Sequence, residues 1–252
     1  RDRSVSRGLG DVYKRQMDMR IIKMGGTVVY KELSEPIFLS TLNDKSLIVV
    51  SAIGRYPFLL STDGLLNNLN EQITLKEKDR IMALGETYSA IKISSLLLSL
   101  NKKSVSLGIE EAAIVSNSNF TKAKFVRFDY SYILKYISNY DCVVVPGFIA
   151  RDEFYHSTTL GRENSDLSAI LYAKYLGVKN VDFIKDIDGV KDEKDNVLLE
   201  NKFINEISYE KALEKALLNK MPISYDAIVL AKEFDIKISI KNRENSLLCI
   251  IK

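Results

Sequence analysis

The chain has 252 residues, 46% of them hydrophobic and 27% charged, enough apolar material for one substantial α/β core or two closely joined lobes. Its net charge of +3 is accounted for by the first sixteen residues, RDRSVSRGLGDVYKRQ, which hold five basic and two acidic side chains. From Met17 onward the charges balance, which argues against nucleic-acid and polybasic membrane partners.

Residues 1–16 show no helical or strand periodicity and lack the apolar core of a signal peptide, so they read as a non-native or disordered leader. An amphipathic transit peptide is the alternative reading, with Asp2 and Asp11 interrupting its positive face. The structured domain is expected over residues 17–252. No stretch reaches the ~18 continuous apolar residues of a membrane span, and the expected setting is the cytoplasm.

The first strand signal is RIIKM, running into Gly25 and Gly26. A second apolar run, SLIVVSAIG, ends at Gly54, and STDGLL can then open a helix. Thr74 with Glu77 three residues on forms a capping box ahead of a long helical pattern. Gly85 interrupts that pattern, predicting two helices or one kinked helix with Glu86 near the break. VSLGI, a polar section AAIVSNSNFTKAKFVRF, a helix near Tyr130 to Tyr140 and the strand CVVVPGF follow.

The segment STTLGRENSD reads as a loop leading into a helix that runs to about Leu176, followed by the strand VDFIKDI. Helix and strand in that order predict right-handed crossovers in a mostly parallel sheet. The stretch 191–201 is the most loop-like long piece, and two further helices, YEKALEKALL and DAIVLAKEF, lead to terminal strands KISIKN and SLLCIIK. The predicted fold class is α/β, a three-layer α/β/α sandwich with a mostly parallel central sheet, as two lobes sharing that sheet. Cys142 and Cys249 lie in apolar runs and read as buried hydrophobes, while the single histidine, His156, cannot build a zinc cluster, so no metal ligand set is expected.

Ligands of open α/β sheets bind outside the carboxyl ends of the strands, and those ends are polar here. Lys23 with Gly25 and Gly26 can turn successive amides and a mobile positive charge toward phosphoryl oxygens, although paired glycines also make ordinary tight turns. A helix starting near Ser165, with Arg162 just before it, can hold a carboxylate or phosphate. Asp166 in its first turn either stabilises the dipole or binds substrate, and Thr158 and Thr159 serve as loop caps or contacts. Glu86 either faces solvent or receives an ammonium group. Arg162 for a carboxylate and Glu86 or Asp166 for an ammonium together describe an amino-acid substrate, with phosphate moved onto it.

The order of these motifs resembles the catalytic domain of aspartate kinase, in the amino acid kinase superfamily, from Met19 to Lys252. KMGGTVV resembles KFGGTSV, VVSAIG with STDGLL resembles VVSAMG with ATDTLL, and LGETYSA resembles the GE-containing helix start. VVPGF with STTLGRENSD resembles a GF turn with TTLGRGGSD, and KDIDGV resembles TDVDGV. The resemblance implies transfer of phosphate from ATP to the β-carboxylate of L-aspartate, with Mg2+ carried by the nucleotide phosphates. It implies that Lys23 stabilises the transferring group and that Gly25 and Gly26 form the phosphate-facing turn. Thr62, Glu86, Phe148, Arg162, Ser165 and Asp166 would surround aspartate, and Asp186 would lie by the nucleotide.

The chain also departs from that pattern. Val28 replaces a serine, Glu163 and Asn164 replace two glycines, and Lys185 replaces a threonine beside the nucleotide. Met221 stands where the resemblance has a lysine, leaving the adjacent Lys220 as the candidate to compensate. The small ligand-sensing ACT domains that follow this unit in the family are not seen after SLLCIIK. The expectation is a chain that is unregulated, truncated or controlled by a separate regulatory subunit, with a homodimer as a further possibility. A kinase for another small carboxylate or phosphate, and a decayed ligand-binding subunit, are the rival readings.

Overall fold

A computed structural model describes residues 19–54, 57–111, 113–161, 164–191 and 203–252. The predicted leader over 1–16 and most of the loop-like stretch over 191–201 lie outside the described residues.

The short apolar runs form strands because each is rich in β-branched residues and bounded by turn residues. β1 (Arg20–Met24), β2 (Ser46–Val50), β3 (Ser104–Ser106), β6 (Cys142–Pro146), β9 (Asn180–Ile184), β10 (Glu206–Ile207), β11 (Lys237–Lys241) and β12 (Leu247–Ile251) join in one eight-stranded sheet. Its order is β10-β12-β11-β9-β1-β2-β6-β3. The run from β3 to β11 is parallel throughout, and only the β11–β12 pair is antiparallel. β2 and β6 are buried at every position, as expected of parallel strands covered on both faces.

Helices cover the two faces, giving three layers. Ile21 of β1 belongs to the core shared with α6 (Ser165–Leu176) and α8 (Tyr225–Glu233), whereas Ile22 and Met24 pack on α1 (Gly26–Ser34) and the far half of α4 (Leu75–Ser99). Strand periodicity therefore puts Lys23 on the same face as Ile21, toward α6. The remaining helices are α2 (Ile37–Ser40), α3 (Thr62–Asn67), α5 (Ile133–Asn139) and α7 (Tyr209–Leu217).

α4 is one continuous helix and not a broken pair. Gly85 serves packing instead of interrupting the helix: a Cβ there would lie 2.8 Å from the Leu60 carbonyl and 3.0 Å from Leu65 Cδ1, so the glycine admits the α3 segment. Among the described residues α4 alone is long and apolar enough to cross a membrane by length and composition, and half of its most apolar window is buried within the fold.

A second sheet, β5-β4-β7-β8, was not expected from the sequence. It comprises β4 (Ile114–Ser116), β5 (Phe125–Phe128), β7 (Ile149–Arg151) and β8 (Ser157–Thr159). The start of STTLGRENSD is thus a strand and not a loop. Its two threonine hydroxyls are satisfied internally: Thr158 Oγ1 and Ser116 Oγ lie 2.6 Å apart, and Thr159 Oγ1 donates to Asp79 Oδ1 at 2.7 Å. Asp79, fully buried on α4, also accepts from the amides of Thr121 and Thr159, and so ties this sheet to the helix.

Candidate functional site

The site is built where β1 and β9 end side by side, with Met24 in register with Ile184. After β1 the chain turns at Gly25 straight into α1. Gly26 is required there, because a Cβ on it would sit 2.2 Å from the Ala52 carbonyl oxygen, inside the loop after β2. Gly25 has no such constraint. Its φ of −72° and ψ of 160° suit any residue, and the nearest atom to an added Cβ would be Lys23 Nζ at 4.0 Å. It caps α1 without a side-chain hydrogen bond, so it leaves the first-turn amides open beside a space that a side chain would fill.

Lys23 and Lys185 converge on one carboxylate. Lys23 Nζ lies 2.7 Å from Asp166 Oδ1 and Lys185 Nζ 3.5 Å from Asp166 Oδ2, which also accepts from the Ser224 amide at 3.1 Å. Burial alone would raise the Asp166 carboxyl, but Lys185, Lys23 and the Ser224 amide together hold it below the usual carboxylate range. Burial pushes the Lys185 ammonium down to about 8, restrained by Asp166 and reinforced by repulsion from Lys23. Asp166 is therefore a binder of lysines and not simply a helix-dipole charge.

Two clefts meet over this cluster. One, of about 610 Å³, is lined by Thr62, Glu86, Phe148 and Ser165, with Lys185 and Asp186 at its edge. The other, of about 600 Å³, is lined by Lys23, Asp166, Lys185, Met221 and the start of α8 from Ser224 to Asp226. Gly25, Gly26, Ser51, Ser165 and Lys185 border both.

Glu86 is only 1% exposed, and its Oε2 has no hydrogen-bond partner. Burial pushes its carboxyl up to about 8, against the Ala52 amide, the charge of Lys23 and the Gly147 amide. A buried acid with an open oxygen beside a cleft can accept a cationic ligand group. Phe148, 3% exposed, takes φ 40° after Gly147, a left-handed backbone unusual for an aromatic residue, and its carbonyl accepts from the Leu160 amide.

The structure thus brings together Lys23, Gly25, Gly26, Thr62, Glu86, Phe148, Ser165, Asp166, Lys185 and Asp186. Asp186 pairs with Lys31 of α1 at 2.8 Å. Lys220 is exposed and lines neither cleft, whereas Met221 does line the second. Arg162 and Glu163 lie outside the described residues. Sequence reasoning missed Lys31 and Ser224. Ser224 was detectable as a cap-type residue before the DAIVLAKEF helix; its Oγ is buried without a partner. Among the described residues no group of His, Cys, Asp or Glu forms a metal site, and both cysteines are buried and free.

A model of the amino acid kinase family matches residues 18–242. Aspartokinase 1 of Bacillus subtilis is 28% identical over 235 residues, covering 89% of this chain and 58% of that protein. The aspartokinase of Helicobacter pylori is 31% identical over 208 residues, covering 81% and 50%. The chain therefore spans about half the length of the curated relatives it matches. Among solved structures, E. coli aspartokinase III in complex with lysine and aspartate superposes with a TM-score of 0.72 at 20% identity, covering 91% of this chain and 64% of the other. Uridylate kinase from Archaeoglobus fulgidus superposes at 0.64 and 15% identity, covering 94% and 100%, so the fold is shared by a kinase of a different name.

Proposed function

The chain belongs to the amino acid kinase family, and from that premise we propose that it transfers the terminal phosphoryl group of ATP to the β-carboxylate of L-aspartate. The nucleotide would occupy the cleft lined by Lys23, Met221 and the start of α8, and the amino acid the cleft lined by Thr62, Glu86 and Ser165.

One observation carries the reading: an open, buried Glu86 oxygen faces one cleft next to a lysine-rich centre shared with the other. Glu86, on releasing its proton as the ligand binds, suits the α-ammonium group of an amino acid, and the lysines suit phosphoryl and carboxylate oxygens. A carboxylate oxygen of the acceptor attacks the γ-phosphorus, the new O–P bond forms, and the bond to the β-phosphate bridging oxygen breaks with its electron pair leaving on ADP. No proton moves, because the acceptor is already ionised. Catalysis then reduces to positioning and charge stabilisation. Magnesium carried on the nucleotide phosphates would add charge neutralisation.

Support for L-aspartate in particular comes from the two aspartokinase relatives and from the Glu86 environment. The reading is tested by ADP release with a panel of acceptors. L-aspartate should turn over, and succinate, which lacks the ammonium group, should fail at equal concentration. Equal use of succinate would remove Glu86 from acceptor recognition. Glu163 and Asn164, standing where the resembling motif has glycines, favour one second reading, a kinase for another small carboxylate or phosphate; preferential turnover of such an acceptor would replace aspartate.

A further inference from the structure

We propose that Lys185 is a second phosphoryl-contacting cation, coupled to Lys23 through Asp166, so that two ammonium groups converge on the group in transfer. The proposal rests on the phosphotransfer reading of this site and deepens it.

The arrangement is more than a structural ion pair needs. Lys23, at 2.7 Å, already neutralises Asp166, and the Ser224 amide gives the carboxylate a further donor. Lys185 is added at a looser 3.5 Å and leaves the cluster with one excess positive charge when both lysines are protonated. All three side chains are largely removed from water, with exposures of 7%, 6% and 15% for Lys23, Asp166 and Lys185. An excess charge in that setting is unfavourable unless a ligand supplies the opposite sign. Burial lowers the proton affinity of Lys185, repulsion from Lys23 adds to that against the attraction of Asp166, and an incoming anion would oppose the shift.

Position supplies the second argument. Lys185 is the first residue beyond β9, anchored by its amide to the Lys241 carbonyl at 2.9 Å, and it borders both clefts. Lys23 reaches the same carboxylate from the adjacent strand. Lys185 thus belongs, with Gly25, Gly26, Ser51 and Ser165, to the lining that the two clefts share, where a group in transfer between them would lie. In the transfer, one acceptor-oxygen–phosphorus bond forms and the phosphorus–bridging-oxygen bond breaks, so negative charge collects on the bridging oxygen that departs with ADP. Two cations flanking Asp166 can follow that shift, Lys23 on one side and Lys185 on the other.

The test compares the parent chain with Lys185→Met and Lys185→Arg, measuring Kd for Mg-ADP, Kd for Mg-ADP with aluminium fluoride as the phosphoryl mimic, and kcat with L-aspartate. Lys185→Met should keep the Mg-ADP Kd within ~3-fold, lose most of the tightening given by aluminium fluoride, and lower kcat by ~10²-fold or more. Lys185→Arg, which keeps the charge, should retain the tightening. Folding of both variants is expected, since Lys23 still neutralises Asp166. Unchanged tightening in Lys185→Met, or an equal loss of Mg-ADP affinity itself, would overturn the proposal. If the parent tightens on aluminium fluoride but turns over no aspartate, the acceptor assignment fails while the Lys185 comparison still decides. A parent that binds no Mg-ADP overturns both.

Discussion

Replacing Glu86 with glutamine should make the unliganded protein more stable while removing its acceptor site. Burial holds the Glu86 carboxyl at about 8, against 4.5 for an ordinary glutamate. At pH 7 the folded protein keeps this proton, and the unfolded chain releases it. Each pH unit of mismatch is worth ~1.4 kcal/mol, so the 2.5 units between 4.5 and pH 7 destabilise the fold by ~3 kcal/mol. Because the folded-state value is raised, the associated stability is fully present below pH 4.5 and is lost as pH rises through about 8. Glutamine is neutral throughout, so Glu86→Gln should match the parent near pH 4 and exceed it by ~3 kcal/mol at pH 7, with the gap levelling off above pH 8. Urea denaturation at pH 4, 7 and 8.5 measures this directly, and calorimetric titration with L-aspartate should show that binding is lost. A variant no more stable than the parent at pH 7 and above would refute the reasoning, and would make Glu86 a structural acceptor for the Ala52 and Gly147 amides.

Lys23→Met should retain the fold, because Lys185 and the Ser224 amide still compensate Asp166, while kcat falls by ~10²-fold or more; near-parental turnover at saturating substrates would exclude Lys23 as an electrostatic catalyst. Gly25→Ala should leave the thermal midpoint unchanged, since its backbone suits alanine and the space is open, yet weaken Mg-ADP binding by ~10-fold as the new methyl group fills the phosphate approach. Unaltered Kd in that variant would place the phosphates elsewhere. Asp79→Ala strips three hydrogen bonds from the small sheet and should destabilise the protein by ~3 kcal/mol in urea, while the first-order site geometry around Lys23 is untouched. A loss under 1 kcal/mol would mean that Asp79 is not the anchor between α4 and that sheet.

The central sheet was readable because its strands are buried on both faces and appear as unbroken apolar runs such as SLIVV and CVVVP. The second sheet was not, because its strands are three or four residues long and partly polar. β8 is Ser-Thr-Thr, whose partners, Ser116 and Asp79, lie 42 and 80 residues away. Gly85 misled for a related reason: local propensity marks a glycine as a helix breaker, whereas its purpose here is the approach of Leu60 from another segment. At the site, Lys23, Gly25 and Gly26 were legible as chemistry at a strand end and Glu86 as a carboxylate able to receive an ammonium group, and the resemblance brought in Thr62. The double grip of Lys23 and Lys185 on Asp166 required the register of β1 against β9, which no local pattern encodes.

The most direct test of the aspartate kinase account is to incubate the chain with Mg-ATP, L-aspartate and hydroxylamine, and to measure ADP and aspartyl hydroxamate together. An acyl phosphate is captured by hydroxylamine, so the account requires the two products to accumulate in equal amounts, and both to form ~10²-fold or more slowly in Lys23→Met. ADP without hydroxamate would mean that phosphate goes to water or another acceptor, and the absence of both products from folded protein would contradict the claim that this site phosphorylates aspartate.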